Sequence, residues 1–176
     1  MTESRTETLK RLQAESYATA TEKGWHDRDE LDENGMPTVR QMITWCGLFH
    51  TEVTEYEKET AHYYLEGDKP CGKITELADV AIRVWDAIGR CGFEPRYGGV
   101  HVPQETIRHS IDSVIEQVRN KGLNHFSTAA LLSYIVDSVF FEARSIGYGF
   151  DTFIVFIEQK MAYNRTRSTR HGGKLA

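Results

Sequence analysis

Four acidic residues form two pairs with the same spacing in the middle of the sequence. Glu52 and Glu55 are three residues apart, and after twenty intervening residues Glu76 and Asp79 repeat that separation. Residues three apart on an α-helix lie on one face, so each pair would bring two carboxylates together. Like charges at that distance repel unless water screens them or a cation lies between them. The spacing is typical of a cation site, but a solvated acidic surface has the same pattern.

Both pairs lie at the margin of an apolar stripe with helical periodicity. The first stripe consists of Met42, Cys46, Phe49, Val53 and Tyr56, and the second consists of Leu77, Val80, Ala81, Val84 and Ile88. The short connection "LEGDKPCG" predicts that the two helices form an antiparallel hairpin. Four converging carboxylates are hard oxygen ligands that suit Mg²⁺, with Mn²⁺ as a possible substitute. From the spacing alone, a metal site and a solvated face remain equally good interpretations.

The rest of the sequence also predicts helices, and the fold class is therefore all-α. Prolines and most glycines fall between periodic segments instead of inside them. The predicted helices cover roughly 5–23, 37–66, 73–91, a segment from just after Pro103 to 121, 126–146 and 150–163. We expect one domain over 1–176, with the acidic pairs in 37–92, an extra helical segment at 93–149 and a C-terminal helix with a basic tail at 150–176.

Charge is distributed unevenly along the chain. The net charge is −5, yet the segment from Lys160 to the end has five basic residues and no acidic one, which leaves −10 on the remainder. An acidic body is not typical of a nucleic-acid-binding protein. The basic end is suited to a phosphate held by a metal ion, or to another subunit, and a solvated tail is a further interpretation.

The compartment predicted from the sequence is the cytoplasm. The three cysteines are an odd number without a C-x-x-C pair, which favours reduced thiols. The N-terminus is polar and does not look like a secretory signal. No apolar run reaches the roughly 18–20 residues that a membrane span requires, so we expect no membrane partner.

The two pairs and their surroundings resemble the MazG-like all-α nucleoside triphosphate pyrophosphohydrolases. The E-x-x-E and E-x-x-D motifs stand in "LFHTEVTEYEKE" and "ELADVAIRVWDAIGRCG", and the ending "EQKMAYNRTRSTRHGGKLA" is similar to that of many phage and bacterial members. "EKGWHD" near the N-terminus is similar as well. The likeness covers roughly 15–92 and 150–176.

The resemblance implies Mg²⁺-dependent attack of water on the α-phosphorus of a nucleoside triphosphate, which releases a monophosphate and pyrophosphate. Glu52, Glu55, Glu76 and Asp79 would be metal ligands and catalytic residues, and one glutamate would orient or deprotonate the water. Lys160 and Asn164 match tail positions that contact the phosphates or the sugar, and Arg167 would be a phosphate partner. The resemblance also implies a homo-oligomer, either a dimer or a tetramer.

This chain departs from the family at two places. Thr51 stands where many members have a second acid, and 93–149 adds about two helices relative to minimal members. That addition would either replace a contact made elsewhere by oligomerisation or shape the pocket for the base. Trp45 precedes Glu52 on the same side of its helix and would stack on the base, or else belong to the core. Trp25 and His26 would close over the nucleotide or simply pack a loop.

Two other functions remain open. A nucleotide-binding or scaffolding protein could keep this fold without efficient turnover. A carboxylate-bridged di-iron bundle is a remote alternative, because Glu59 and His62 form a single E-x-x-H where such a site needs two.

Overall fold

The computed structural model describes residues 3–94 and 106–167, and this part of the chain forms six helices and one short hairpin. The helices are α1 (Arg5–Glu22), α2 (Val39–Lys58), α3 (Lys73–Arg90), α4 (Ile107–Lys121), α5 (His125–Ser145) and α6 (Phe150–Thr166). The strands are β1 (Tyr64–Glu66) and β2 (Lys69–Cys71). The predicted all-α fold class is confirmed.

Helix α3 lies at the centre and packs against α1, α2, α5 and α6. Its apolar side chains are buried on most of its circumference, and Trp85 is among the largest fully buried side chains. One half-buried stripe of α3 carries charge, and its members are Glu76, Asp79, Arg83, Asp86 and Arg90. We call these five residues the charged stripe. Charge on a central helix is costly unless it is paired, so the partners of this stripe are informative.

Helix α2 is shorter than predicted at both ends. It begins at Val39, because the Thr38 hydroxyl caps it by accepting a hydrogen bond from the backbone N–H of Gln41 at 3.1 Å. Pro37 therefore precedes the helix instead of forming its first turn. The predicted extension to residue 66 is wrong, because the chain turns to extended backbone at Glu59. The Glu59 carboxylate accepts hydrogen bonds from the next two backbone N–H groups and stabilises this exit.

The connection from α2 to α3 contains the antiparallel hairpin of β1 and β2, which the periodicity did not predict. Gly67, at φ 61°, lies in the two-residue turn between the strands. Gly72, at φ 107°, immediately precedes α3, and a Cβ there would lie 2.7 Å from the carbonyl oxygen of His62. The chain can approach itself this closely only with glycine, and that approach sets where α3 begins and thus where Glu76 lies.

Most of the predicted extra segment forms α4 and α5, while 95–105 lie outside the described residues. Helix α4 packs against α2 and α5, and α5 packs against α3. The two helices thereby cover the side of α2 and α3 that carries the apolar stripes.

Within the described chain, one helical segment is long and apolar enough to span a membrane by length and composition. It is Phe126–Ser145 in α5, with a mean hydropathy of 1.3, and half of it is buried inside the fold. A core helix of a bundle has the same properties, so this finding is weak support for a membrane span.

Candidate metal centre

Three of the four predicted acidic residues meet between α2 and α3. One carboxylate oxygen from each of Glu52, Glu76 and Asp79 lies within 4.8 Å of the other two. Glu52 is 6% exposed, and Glu76 and Asp79 are half-buried. Glu55 is more exposed and lies outside this group of three, although it lines the same cavity. The i and i+3 spacing on two packed helices therefore produces a cluster of three carboxylates with a fourth at its edge.

The cluster opens into a cavity of about 410 Å³ between α2, α3 and α6. Its walls carry four carboxylates and four cationic side chains. The cavity is lined by Trp25, Glu52, Glu55, Lys69, Glu76, Asp79, Ile82, Arg83, Lys160, Tyr163, Asn164 and Arg167. A cavity lined by both acidic and basic side chains can bind an anion that is complexed with a metal cation.

Helix α6 supplies the side of the cavity opposite the acids. Lys160 is 4% exposed, and its Nζ lies 2.7 Å from Oδ2 of Asp79. Asn164 follows one turn later and is 6% exposed, and Arg167 lies at the end of the helix. All three predicted substrate-contacting residues of the C-terminal segment thus line the cavity, and α6 continues to Thr166 instead of ending near 163. The predicted tail after Arg167 lies outside the described residues.

A second cation, which the sequence analysis did not select, pairs with the cluster. Nε of Arg83, one turn after Asp79 on α3, donates to Oε1 of Glu52. Two of the three clustered acids are therefore bonded to a cation of the chain itself. Glu76 is the third, and within the described residues its carboxylate has neither an ion pair nor a hydrogen bond.

The protonation properties of the cluster follow from burial and from mutual repulsion. Burial raises the pKa of Glu52, and the charges of Asp79 and Glu55 add to this, while Arg83 opposes it. Burial also raises the pKa of Glu76 to about 7, with a further contribution from Asp79 and an opposing one from Lys160. Burial would lower the pKa of Lys160, but Asp79 outweighs it and the pKa is raised. Additional positive charge at the cluster would relieve the repulsion.

The donor set fits a hard divalent cation. Carboxylate oxygens are the ligands that Mg²⁺ and Mn²⁺ take, usually together with water and phosphate oxygens. A second observation is independent of the acids: Oδ1 of Asn164 is buried with no hydrogen-bond partner among the described residues. A buried polar atom without a partner is costly, so an added donor or cation in this cavity would be favoured.

Trp45, predicted as a stacking platform for the base, is not among the residues that line the cavity. Its side chain is 8% exposed and belongs to the hydrophobic core with Met42, Phe49 and Val53. The tryptophan that lines the cavity is Trp25, in the loop after α1. The substrate-binding assignment of Trp45 is therefore corrected. The error arises because both interpretations of Trp45 place it on the same side of α2 as Glu52.

The loop that carries Trp25 is bonded to the charged stripe of α3. Nε2 of His26 lies 2.9 Å from Oδ1 of Asp86, and Nδ1 lies 2.9 Å from Oδ2 of Asp29. Nε of Arg90 donates to the same Asp29 oxygen at 3.0 Å. Burial opposes the charged imidazolium, but the hydrogen bonds with Asp29 and Asp86 outweigh it and raise the pKa of His26 to about 9.

Comparison with known proteins provides no family for this chain. No family model, no curated protein and no solved structure matches it.

Proposed function

We propose that this protein is a Mg²⁺-dependent nucleoside triphosphate pyrophosphohydrolase of the MazG-like all-α type, with Mn²⁺ as an alternative metal. The observation that supports this best is the convergence of residues from separate parts of the chain. Acids from α2 and α3 meet a buried lysine and asparagine from α6 in one cavity. These are the positions that the resemblance assigns to metal and substrate.

Glu52, Glu76 and Asp79 would hold the metal ion, with Glu55 at the edge of the site. When bound, the ion would neutralise non-bridging phosphate oxygens and lower the pKa of the attacking water. Lys160, Arg167 and Lys69 line the cavity and would offset the remaining negative charge of the triphosphate. The Glu55 carboxylate lies outside the group of three and would accept the proton of the attacking water.

A nucleotide panel with magnesium tests this function. The purified protein is incubated with each common NTP and dNTP, and pyrophosphate and orthophosphate are measured separately. We expect pyrophosphate and the matching monophosphate in equal amounts. Orthophosphate as the product, or no release with either Mg²⁺ or Mn²⁺, would contradict the proposed reaction.

A matched pair of variants on α2 assigns the activity to the site. Glu52→Gln removes a buried clustered carboxylate, whereas Glu57→Gln changes an exposed glutamate of the same helix that pairs with Arg108. We expect loss of turnover in the first variant and wild-type turnover in the second. Wild-type rates in both would show that the carboxylate cluster is not the catalytic site.

A nucleotide-binding protein with little turnover is the second candidate. It is favoured by the pairing of Glu52 with Arg83 and of Asp79 with Lys160, because a cluster neutralised from within needs no metal to be stable. Nucleotide binding without product would support it. The E-x-x-H pair of the di-iron alternative does not lie on a helix, because Glu59 caps the end of α2 and His62 lies beyond it.

The expected homo-oligomer and the cytoplasmic location remain predictions. Light scattering of the purified protein would measure the oligomeric state directly. A monomer would contradict the prediction drawn from the resemblance.

A further inference from the structure

Arg83 holds a position that neither composition nor the family motif assigns. It lies on the charged stripe one helical turn after Asp79, and its side chain is 22% exposed and lines the cavity. Its neighbours on the stripe, Asp86 and Arg90, are bonded to the loop after α1. Arg83 is the member of the stripe that extends a cation into the cavity.

The pairing of Arg83 with Glu52 competes with a metal ion for the same carboxylate. The guanidinium donates to Oε1 of Glu52, which belongs to the cluster of three acids. Divalent cations bind carboxylates at about 2.0–2.6 Å, a range that leaves little room for the guanidinium on the same oxygen. A divalent cation that binds Glu52 through Oε1 would therefore weaken or replace the bond from Arg83.

If a metal ion displaced Arg83 from Glu52, the guanidinium would need another anionic hydrogen-bond partner. A guanidinium in a mostly buried cavity is stabilised by bonds to acceptors, and planar bidentate bonding to phosphate oxygens is its preferred geometry. The bond to Glu52 uses Nε, and within the described residues no bond of the two Nη groups is found. Both groups can therefore donate to a ligand in the cavity.

We propose that Arg83 is a triphosphate-binding residue that Glu52 holds in place until a divalent cation occupies that carboxylate. This inference rests on the proposed function, because it requires the metal at the cluster. Lys160 on Asp79 repeats the arrangement on the other side, so a metal ion that takes Glu52 or Asp79 releases a cation toward the phosphates. Metal and triphosphate then bind cooperatively, since each removes the competitor of the other.

The test uses two probes that require no knowledge of the base. Binding of Mn²⁺ alone is followed by electron paramagnetic resonance of the free ion. Binding of inorganic tripolyphosphate is followed by calorimetry in saturating Mg²⁺. The proteins are wild type, Arg83→Gln, Arg83→Lys and, as a control, Arg108→Gln, which removes the exposed pair with Glu57 outside the cavity.

We expect opposite shifts for the two probes in Arg83→Gln. Mn²⁺ should bind several-fold more tightly, because Glu52 no longer has an internal partner. The affinity for tripolyphosphate should fall at least about tenfold, as expected for loss of a charge-assisted hydrogen bond. Arg83→Lys keeps the charge, so its tripolyphosphate affinity should lie between those of wild type and Arg83→Gln. Arg108→Gln should match wild type.

Three results would overturn the inference, and they are distinguishable. Unchanged tripolyphosphate binding in Arg83→Gln and Arg83→Lys would remove Arg83 from the substrate site and leave the proposed function intact. Parallel weakening of both probes in Arg83→Gln would assign Arg83 a purely structural role. Failure of the wild-type protein to bind Mn²⁺ would refute the metal site, and with it both proposals. A circular dichroism spectrum of each variant identifies any that has not folded. If Arg83→Gln is unfolded, the tripolyphosphate affinity of Arg83→Lys decides whether Arg83 binds the substrate.

Discussion

At the scale of single residues, two of the three clustered carboxylates are held by cations that come from different helices. Glu52 of α2 is bonded to Arg83 of α3, and Asp79 of α3 is bonded to Lys160 of α6. Removing one partner of a buried pair leaves an uncompensated charge, which is more costly than the pair itself is favourable. Each of these cations therefore has a structural effect and a predicted role toward substrate.

Replacing Lys160 by methionine tests the contribution of the buried lysine to turnover. Methionine is close in length and apolar, so the variant keeps most of the packing and loses the charge opposite Asp79. We expect kcat/KM for the best nucleotide to fall roughly tenfold to a hundredfold, on the scale of one charge-assisted hydrogen bond. Steady-state kinetics measures it, and Lys10→Met, at an exposed position of α1, is the control. Equal kinetics in both variants would contradict a role for Lys160.

At the scale of elements, the charged stripe of α3 carries three groups of residues that are connected with the cavity. The first turns of the helix carry the acids proposed to bind the metal, its middle carries Arg83, and its last turns anchor the loop that places Trp25 at the cavity. Because the rest of α3 is core, this stripe cannot move independently of the fold. The loop is therefore tied to the same rigid helix as the acids.

The His26 anchor predicts a loss of stability at alkaline pH. The pKa of His26 is raised to about 9, above its ordinary 6.5. The stabilisation is then complete below pH 6.5 and is lost as pH rises through about 9. We expect urea unfolding of the metal-free protein to show a difference between wild type and His26→Gln of about 1–3 kcal/mol at pH 6.5 that shrinks by pH 9.5.

The control for this pH profile is His50→Gln. His50 contacts Asp112, whose side chain is 65% exposed, and solvent screens that contact. A His26→Gln difference that is the same at pH 6.5 and pH 9.5 would show that the ring stabilises the loop by packing alone.

Two helical glycines test the close packing of α1 on α3. A Cβ at Gly89 of α3 would lie 2.6 Å from Cβ of Tyr17, whereas a Cβ at Gly47 of α2 would meet nothing within 4 Å. Gly89→Ala should lower the free energy of unfolding by about 1–3 kcal/mol because it overpacks this contact. Gly47→Ala should raise it by about 0.5–1 kcal/mol through helix propensity. Thermal or urea unfolding gives both values, and the same sign in both would contradict the packing described.

At the scale of the whole molecule, the cavity and the added helices occupy different sides of α2 and α3. The residues that line the cavity come from α2, α3, α6, the loop after α1 and the hairpin, and none comes from the described part of 93–149. Helices α4 and α5 cover the apolar side instead. The described part of this segment therefore lies away from the cavity walls.

Metal binding should be visible as a change in global stability. A ligand that binds only the folded state at a hundred times its Kd adds about 2.7 kcal/mol, which for a chain of this size is roughly 5–10 °C in Tm. We expect Mn²⁺ to raise the Tm of wild type by this order. Glu76→Gln should lose most of that rise, because it removes a proposed metal ligand of the cluster.

The same variant separates a metal site from a structural one. Without metal, Glu76→Gln should be at least as stable as wild type, because it removes a repelled carboxylate that has no partner among the described residues. Glu33→Gln, in an exposed loop, should behave like wild type with and without Mn²⁺. A Mn²⁺ response preserved in Glu76→Gln would count against the cluster.

The amino-acid sequence by itself determined the helical class and the faces on which Glu52, Glu55, Glu76 and Asp79 lie, because helical periodicity is a local property of the chain. It also placed Lys160, Asn164 and Arg167 on one segment. Only the tertiary structure decided which side chains meet. The side-chain contacts of Arg83 with Glu52 and of His26 with Asp86 join residues that are 31 and 60 positions apart in the sequence. Helical periodicity carries no information about contacts between residues so far apart in the chain.

Trp45 and Trp25 show the same division. Both interpretations of Trp45 fitted its position on α2, and burial by neighbouring helices placed it in the core. Trp25 lies at the cavity because its loop is bonded to α3, a relation that depends on how α1 packs. The end of α2 at Lys58 likewise follows from the close approach at Gly72 and the hairpin, which are consequences of packing and not of helix propensity.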